Sequence, residues 1–383
     1  MTMSEKKTIL ILTDWFFPGY KAGGPIQSCK NFIAAMSDCY NIYVITSDRD
    51  MGDGQSYADI QVNQWNNYMD NARVYYATAL SLGQLNALHK QIAPDFVYLN
   101  SMFSLRYAIF PLWLAACNKI TAQLVLAPRG MLHAGAMHFK TKKKKLFLAI
   151  IKATGVQKKI RFHATDKQEA EDIASFFPEV RDIIIATNFP RMQQPDFIPA
   201  EKQPGILRCI YVSRIAAKKN ILYFLDVLRQ IPVEIQFFFD ICGEVDDKSY
   251  YNQCIALIKT LPPHVRVRFN GPVNNEAVPK LLQQYHLFVL PTLGENFGHA
   301  IFEAFLSGRP VLISDQSPWR GLTQKKAGWD IALQDRDAFL QVILKAAAMT
   351  ANEINEWCRG AWALANEFIK HTEIREQNLK LFN

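Results

Sequence analysis

The sequence predicts an α/β protein made of two doubly wound domains, each with a mostly parallel sheet covered by helices on both faces. Short runs rich in Val, Ile, Leu and Phe alternate with longer stretches of helical pattern. These runs are largely apolar, as buried parallel strands are. Nine of them over 383 residues exceed what one compact domain holds, and a polar, proline-bearing stretch, Phe189–Gly205, separates them into two groups.

Four of the predicted strands precede this stretch and five follow it. They are Thr8–Thr13, Ile42–Thr46, Phe96–Leu99, Leu124–Ala127, Arg208–Val212, Gln236–Ile241, Val265–Asn270, Leu287–Leu290 and Val311–Ser314. Two domains are therefore predicted, at residues 1–190 and 200–365. Ligands of doubly wound sheets bind beyond the carboxyl ends of the strands, so two such domains facing each other would form a deep cleft.

Composition narrows the class of partner. Hydrophobic residues make up 49% of the chain and charged residues 20%, which is typical of a globular protein. The formal net charge of +8 favours an anionic partner, such as a nucleotide, a nucleic acid or an acidic lipid surface.

The cysteines and the N-terminus predict a cytoplasmic protein. The seven cysteines are scattered, form no CxxC pair and lie mostly in apolar runs, so we interpret them as reduced core residues. Met1–Thr13 predicts a first strand rather than an export signal. The most apolar stretch, Met102–Ile120, is interrupted by Arg106 and Pro111, and it predicts a buried helix rather than a membrane span.

A cluster of lysines precedes an amphipathic stretch. It consists of Lys140, Lys142, Lys143, Lys144 and Lys145. A solvated helix face would explain the cluster, and so would a basic surface that binds anionic lipid, at ~1 kcal/mol per lysine. Nucleic-acid binding is disfavoured because aromatic residues are not interleaved with the lysines, as a base-stacking surface requires.

The segment Gly294–Pro310 places two carboxylates around the start of a helix. The helix is predicted to begin at Gly298 and to end at Gly308. Unpaired backbone N–H groups at its N-terminus suit an anion or a row of sugar hydroxyls. Glu303 and Glu295 could then accept hydrogen bonds from a ribose and from a second sugar, respectively. The alternative is that Glu295 is a solvent-facing cap and Glu303 an exposed helix residue.

This segment resembles the Glu-x7-Glu signature of retaining glycosyltransferases with the GT-B fold, specifically family 4 (glycosyl transferases group 1). Tyr211–Leu228 resembles that family's strand followed by an arginine and a lysine, here Arg214 and Lys219, with Ser213 where the family usually has glycine. Three further similar stretches are the turn around Gly271 and Val273, the glycine loop Tyr20–Ser28 with Gly23 and Gly24, and Leu126–Leu132, which is common in members that build bacterial surface polysaccharides.

The resemblance implies a UDP- or GDP-sugar as substrate and no metal or other cofactor. Arg214, Lys219 and Glu295 are then the catalytic residues, the two cations stabilising the charge on the departing diphosphate. The implied donor-binding residues are Gly23, Gly24, Ser213, Val273, Asn296, Phe297, Gly298 and Glu303. Transfer would retain the anomeric configuration. Because we identify no nucleophile, we expect same-face substitution, in which the donor phosphate helps to deprotonate the incoming hydroxyl.

Other candidate residues lie in the first half of the chain, and two Asp-x-Asp strings lie one in each half. Arg129 and His133 are candidates on the acceptor side. His163 is interpreted as structural, at a strand end, with Thr165 placed to cap the next helix. We interpret the Asp-x-Asp strings, which end at Asp50 and at residue 337, as chance matches to the metal motif of other glycosyltransferases.

The sequence therefore predicts a retaining glycosyltransferase of the hexosyltransferase type. It would move a sugar to a hydroxyl of a saccharide or lipid-linked acceptor during synthesis of a bacterial surface polysaccharide, such as lipopolysaccharide or capsule. The alternatives are a nucleotide-sugar epimerase of the same fold and a non-catalytic basic membrane-binding protein. The last helix of such enzymes often returns to the first domain, which we expect for residues 366–383. We expect the protein in the cytoplasm or at the inner face of the plasma membrane, without a nucleic-acid partner.

Overall fold

The computed structural model describes residues 6–133, 141–371 and 373–383, and it describes no side chains for residues 141–143. The chain divides into two compact units. Unit 1 comprises Met1–Phe189 together with Thr372–Asn383, and unit 2 comprises Pro190–His371.

Unit 1 contains a sheet of eight strands in its described part, in the order β3-β4-β2-β1-β5-β6-β7-β8. The strands are β1 (Thr8–Leu12), β2 (Asn41–Ser47), β3 (Trp65–Met69), β4 (Ala72–Ala77), β5 (Phe96–Leu99), β6 (Gln123–Leu126), β7 (Ile160–Ala164) and β8 (Ile183–Ile185). All adjacent pairs are parallel except β3 and β4, which form an antiparallel edge. The four strands predicted here are confirmed, and the prediction lacked β3, β4, β7 and β8.

Helices pack on this sheet. They are α1 (Gly24–Met36), α2 (Leu82–Ile92), α3 (Phe110–Ala116), α4 (Thr141–Thr154), α5 (Lys167–Phe176) and the C-terminal helix Glu373–Lys380. The stretch Met102–Ile120 contributes one π turn and the short α3 rather than one long buried helix, and the side chains of Leu105 and Trp113 are exposed. Within the described ranges, no helix has the length and apolar character needed to cross a membrane.

The interpretation of His163 as structural agrees with its contacts, but the predicted cap of α5 was wrong. His163 is buried, with Nδ1 2.8 Å from the Tyr98 hydroxyl and Nε2 2.7 Å from the Ala186 carbonyl. The N-cap of α5 is Asp166, whose side chain accepts the Glu169 N–H. Thr165 instead donates its hydroxyl to the Glu169 carboxylate, at 2.6 Å.

The end of the chain packs into unit 1. The Phe382 ring is fully buried, and its centroid lies between 5.4 and 5.9 Å from the centroids of four other rings: Phe32, Tyr40, Phe96 and Tyr98. The side-chain amide of Asn378 donates to the Thr187 carbonyl at 2.9 Å, and Arg161 donates to the Leu381 carbonyl at 3.0 Å. The buried side chains of this segment, Ile374, Asn378, Leu381 and Phe382, are therefore part of the interior of unit 1.

Unit 2 contains a fully parallel sheet of six strands in the order β11-β10-β9-β12-β13-β14. The strands are β9 (Ile206–Val212), β10 (Gln236–Cys242), β11 (Val265–Gly271), β12 (Leu287–Leu290), β13 (Val311–Ser314) and β14 (Gly328–Ile331). The five strands predicted for this half are confirmed, and β14 is additional.

The helices of unit 2 lie between and after these strands. They are α6 (Ile221–Val227), α7 (Lys248–Ile258), α8 (Val278–Leu282), α9 (His299–Leu306), α10 (Arg336–Ala348) and α11 (Ala351–Lys370). As predicted, α9 has Gly298 as its N-cap, and Gly308 follows it with a left-handed φ of 64°. The last helix of the unit, α11, runs without a break through residue 366, and the chain joins unit 1 only after His371.

We expect Phe382→Ala to lower the free energy of unfolding of unit 1 by ~3–5 kcal/mol, because it removes a buried ring that four other rings surround. Hydrogen exchange at the amides of β1 and β5 would measure the loss. Lys380→Ala changes an exposed side chain two positions earlier and should shift the same protection by less than ~0.5 kcal/mol. Unchanged protection in Phe382→Ala would contradict the core role of the C-terminal segment.

Candidate functional site

The candidate site of unit 2 lies where the strand order of its sheet reverses. From β9 the chain continues to β10 and β11 on one side of the sheet, and β12 then returns to the other side of β9. Loops that follow β9 and β12 therefore leave the sheet side by side at its carboxyl edge, where ligands of doubly wound sheets bind. The backbone N–H of Leu293 donates to the Lys218 carbonyl at 2.8 Å, which joins the two loops.

Lys219 and Glu295 form an ion pair between these loops. The Lys219 Nζ atom lies 2.5 Å from Glu295 Oε1, and the two side chains are only 15% and 12% exposed. Lys219 ends a short 3-10 turn, Ala217–Lys219, and the next residue, Asn220, has a left-handed φ of 59°. The N–H of Glu295 donates to the Gln316 carbonyl at 2.9 Å, which ties its loop to the one after β13.

The lysine determines the charge state of Glu295. Burial alone would raise the pKa of the Glu295 carboxyl, but the charge and hydrogen bond of Lys219, helped by the charge of Lys218, hold that pKa below its ordinary value. Glu295 is thus a buried carboxylate with a cationic partner, not a solvent-facing cap. Glu303, in α9, is only 7% exposed, so the alternative of an exposed helix residue was also wrong.

Arg214 lies in the same loop as Lys219 and forms an ion pair with a different carboxylate, that of Asp246. Its Nη1 atom is 2.8 Å from Asp246 Oδ2, and both side chains are more than a third exposed. The Tyr211 hydroxyl donates to the Arg214 carbonyl at 2.6 Å. The guanidinium is therefore accessible to a ligand while its backbone is fixed.

Ser213 lies against the loop that follows β10. Its N–H donates to the Cys242 carbonyl at 3.0 Å. A Cβ atom at Gly243 would lie 1.8 Å from the Ser213 carbonyl oxygen, so only glycine allows the two loops to approach this closely.

The remaining predicted donor-binding residues of unit 2 differ in exposure. Asn296 is half-buried between Glu295 and the N-cap Gly298, which has a left-handed φ of 75°. The Phe297 ring is buried and packs against Phe302 and Trp319, and the Trp319 indole N–H donates to the Phe297 carbonyl at 2.5 Å. Val273 is half-buried and packs against the core of the unit just beyond β11.

In unit 1, the glycine loop ends at the start of α1. Gly23 is the N-cap of α1, with a φ of 68°, and Gly24 is its first residue. Asp50 accepts the backbone N–H groups of Tyr20 and Lys21 at 2.7 and 3.0 Å, which fixes this loop.

The two acceptor-side candidates, Arg129 and His133, lie beyond β6 in unit 1. Arg129 is half-buried and donates to Asn100, Asn188 and Tyr98. His133 pairs with Asp172 of α5 through Nδ1.

The Asp-x-Asp strings have structural roles. Asp48 is fully buried and accepts hydrogen bonds from Ser56 and Arg49 at 2.6 and 2.8 Å, and Asp335 caps α10. Among the residues that the structure describes, no group of three or more His, Cys, Asp or Glu side chains could hold a metal ion.

Three residues that bear on the site were absent from the sequence prediction. They are Gly243, Asp246 and Thr292. The first two occur directly after a predicted strand, in "CGEVDD", and a glycine in that place is a signal for close backbone approach. Thr292, whose hydroxyl accepts the Gly294 N–H at 3.2 Å, carries no such signal.

The Lys219–Glu295 pair predicts a pH dependence of stability. A folded-state pKa below the ordinary value of 4.5 means that Glu295 stabilises the fold above pH 4.5 and that this contribution disappears as the pH falls through the lowered pKa. Glu295→Gln should therefore lower stability by ~1–3 kcal/mol at neutral pH. The difference from wild type should stay constant down to pH 5 and shrink below 4.5.

Melting temperatures recorded from pH 7 to pH 3 would measure this difference. Glu234→Gln, at an exposed position of the same unit, is the matched control and should follow the wild-type profile. If the stability difference between Glu295→Gln and wild type grew below pH 4.5, the lowered pKa assigned to Glu295 would be contradicted.

Comparisons with known proteins find similarity to glycosyltransferases. Residues 196–353 match the family model described as glycosyl transferases group 1. A curated relative, an uncharacterized glycosyltransferase of Methanocaldococcus jannaschii, is 29% identical over 105 residues, which cover 27% of this chain and 26% of the relative. The match thus spans about a quarter of the length of that relative.

Solved structures match over nearly the whole chain. The sucrose-phosphate synthase of Thermosynechococcus elongatus has a TM-score of 0.75 at 15% identity, covering 98% of both chains. The Anabaena protein HepE, in complex with UDP and glucose, has a TM-score of 0.66 at 16% identity, again covering 98% of both chains. The chain therefore has the GT-B fold, and its residues 196–353 match the family model of group 1 glycosyl transferases.

Proposed function

We propose that the chain is a retaining glycosyltransferase of family 4, which moves a sugar from a UDP- or GDP-sugar to a hydroxyl of a saccharide or lipid-linked acceptor. The observation that supports this most is the Lys219–Glu295 pair, with Arg214 in the same loop, at the strand-order reversal of unit 2. In the HepE complex, a protein of the same fold binds UDP and glucose, which supports a uridine nucleotide as the first donor to test.

The proposed leaving group is a nucleoside diphosphate. As the glycosidic bond breaks, negative charge accumulates on this group, and fixed cations stabilise it without reorganisation. Arg214 can donate two parallel hydrogen bonds to phosphate oxygens, while Lys219 acts as a point charge. Lys219 has three N–H donors, of which the Glu295 bond uses one. The chemistry of the leaving group therefore needs no metal ion.

The carboxylates then have separate roles. Glu295 holds the Lys219 ammonium in place and can accept from a hydroxyl of the transferred sugar through its second oxygen. Glu303, buried in α9, would accept from the ribose hydroxyls of the nucleotide. The backbone N–H groups of Asn296, Phe297 and Gly298 lie near the N-terminus of α9, where the helix dipole favours an anion.

The same-face mechanism balances without a protein nucleophile. The acceptor oxygen forms its bond to the anomeric carbon on the face from which the diphosphate departs, and the acceptor proton passes to a departing phosphate oxygen. Gly23 and Gly24, at the start of α1, would let the backbone approach a phosphate or a sugar closely. Arg129 and His133 would contribute on the acceptor side.

The acceptor is proposed to belong to bacterial surface polysaccharide synthesis, such as lipopolysaccharide or capsule, and Leu126–Leu132 supports this through its resemblance to members with that role. A nucleotide-sugar epimerase of the same fold is the second candidate function. It would yield an isomer of the donor instead of a new glycoside, so product identification separates the two.

We also propose that the lysine cluster binds the anionic inner face of the plasma membrane. Lys140 and the side chains of Lys142 and Lys143 lie outside the described residues, whereas Lys144 lies with its Nζ 5.2 Å from the Phe103 ring centroid. Lys145 is exposed on α4. The protein itself is proposed to be cytoplasmic.

The exposed residues of α4 support this membrane role. Leu146 and Ile150 expose 64% and 46% of their surface, and Lys145 and Lys152 are exposed on the same helix. Two large apolar side chains beside lysines are typical of a helix that rests in a lipid interface.

We expect Lys219→Ala to reduce turnover of the nucleotide-sugar by ~10²–10³-fold, because one fixed donor to the developing charge is lost. Glu303→Ala should reduce turnover by a similar factor through loss of ribose contacts. A thermal-shift screen of UDP- and GDP-sugars would select the donor, and release of labelled sugar from it would give the rate. Arg229→Ala, exposed in the same unit, is the control and should turn over as wild type does.

Two outcomes would contradict the proposed function. One is unchanged turnover in both Lys219→Ala and Glu303→Ala. The other is a wild-type protein that no UDP- or GDP-sugar stabilises.

We expect Lys145→Glu/Lys152→Glu to weaken binding to phosphatidylglycerol-containing vesicles by at least ~30-fold, since each lysine near an anionic surface contributes ~1 kcal/mol. Co-sedimentation of the full chain with vesicles would measure it. The matched control is Lys259→Glu/Lys280→Glu, which makes the same charge change at exposed positions of unit 2. Equal loss in both double variants, or no loss in the first, would contradict the assignment to α4.

A further inference from the structure

Arg129 stands at the strand-order reversal of unit 1. From β1 the chain continues to β2 and β4 on one side of the sheet, while β5, β6, β7 and β8 follow on the other side. Asn100 directly follows β5, and its N–H donates to the Leu12 carbonyl of β1 at 3.1 Å. Arg129, beyond the neighbouring β6, donates from Nε to Asn100 Oδ1 at 2.7 Å. The guanidinium thus lies at the edge of the sheet where doubly wound domains bind their ligands.

The hydrogen-bond partners of Arg129 are all uncharged. They are the side chains of Asn100, Asn188 and Tyr98, each of them buried. By contrast, Arg49, Arg161 and Arg375 of the same unit pair with carboxylates: Asp48, Asp182 and Asp38. Among the described residues, no carboxylate lies within ion-pair distance of Arg129, and its three bonds leave two guanidinium N–H groups for a further partner.

Three titratable side chains beside Arg129, those of His163, Tyr98 and Cys29, are held in their neutral forms. Burial and the charge of Arg129 lower the pKa of His163 to about 3. Burial raises the pKa of Tyr98 far above its ordinary value and that of Cys29 to about 11. The buried carboxylate of Glu169 lies nearby, but its hydrogen bonds are to the Gly130 N–H at 2.6 Å and to the N–H and hydroxyl of Thr165, not to the guanidinium. A half-buried positive charge is therefore left without a directly bonded anion, although burial makes such a charge costly.

The backbone at Arg129 is held in a sparsely populated conformation. Its φ is 55°, a left-handed value that costs a residue with a side chain ~1–2 kcal/mol. The Gly130–Glu169 hydrogen bond fixes the following peptide. Strain of this kind persists at ligand sites, where the surrounding structure imposes it. The backbone conformation and the hydrogen bonds to Asn100 and Asn188 thus fix the orientation of the Arg129 side chain.

We propose that Arg129 binds an oxyanion, a carboxylate or a phosphate, carried by the acceptor. The two remaining N–H groups, one on Nη1 and one on Nη2, can each donate to an oxygen of either group. Arg214 and Lys219 already provide for the donor diphosphate in the proposed function, so the anion at Arg129 is assigned to the second substrate. This inference rests on the proposed function only in assigning the anion to the acceptor. Anion binding at Arg129 is measurable without turnover. The acceptor class is then an acidic sugar or a phosphorylated saccharide or lipid.

One substitution tests the charge without removing the arginine. Asn188 accepts from Arg129 Nη1 through its side-chain oxygen. Asn188→Asp keeps the size and the acceptor but adds a carboxylate, so the guanidinium becomes internally neutralised. Arg129→Gln removes the charge, and its melting curve shows whether the unit still folds. Arg181→Gln, at an exposed position of unit 1, is the matched control.

The measurement is calorimetric titration of the full chain, saturated with UDP, using three probes: glucuronic acid, glucose 6-phosphate and glucose. Wild type should bind at least one charged probe ~10–100-fold more tightly than glucose, the range expected for hydrogen bonds to a charged group. Preference for glucuronic acid would identify the anion as a carboxylate, and preference for glucose 6-phosphate would identify it as a phosphate. Asn188→Asp and Arg129→Gln should lose that preference, and Arg181→Gln should keep it.

Any of three results would overturn the proposal. Wild type binds no charged probe, it binds charged and neutral probes equally, or a folded Asn188→Asp keeps the wild-type preference. A separate titration of UDP into wild type and Lys219→Ala tests the donor site alone. If UDP fails to bind while the charged probe still requires Arg129, the proposed function fails and the anion site remains.

Discussion

The ion pair between Lys219 and Glu295 holds together the two loops from which the site of unit 2 is built. Each loop leaves a neighbouring strand at the point where the strand order reverses, and neither loop contains a long helix to fix its shape. The pair, with the Leu293–Lys218 and Glu295–Gln316 backbone bonds, links the segments after β9, β12 and β13. Because both side chains are largely buried, removing one would leave the other as an unpaired charge. The same contact therefore orients the Lys219 ammonium, which we propose binds phosphate, and maintains the fold around it.

The two units use one architectural device with different electrostatics. Each places a cation at its strand-order reversal, where the carboxyl ends of parallel strands open. In unit 2 the cations Lys219 and Arg214 have carboxylate partners, which orient them. In unit 1, Arg129 is oriented by neutral amides and a phenol, which fix its position without cancelling its charge.

The parts of the fold that the sequence predicted are those with local signals. All nine strands predicted from continuous apolar runs are present, and α9 begins and ends at the two glycines that indicated it. The edge strand β3 reads "WNNYM" and lacks an apolar run, and β8 is only three residues long, so neither had a strong signal. The partner of Glu295 lies 76 residues earlier in the chain, and the neutral partners of Arg129 come from two distant segments, the end of β5 and the stretch around Asn188. Sequence spacing carries no information about such contacts, which arise only when the sheet brings strand ends together. The cap of α5 likewise depends on a contact that the sequence does not show. The Thr165 hydroxyl donates to the buried Glu169 carboxylate, and Asp166 accepts the Glu169 N–H as the N-cap.

A crystal structure of the full chain with UDP would test the central claim most directly. The account predicts that the diphosphate lies within hydrogen-bond distance of Lys219 Nζ and the Arg214 guanidinium, with the ribose hydroxyls against Glu303. A diphosphate bound at any other place, with the Lys219–Glu295 pair untouched and no ligand beside it, would contradict the account.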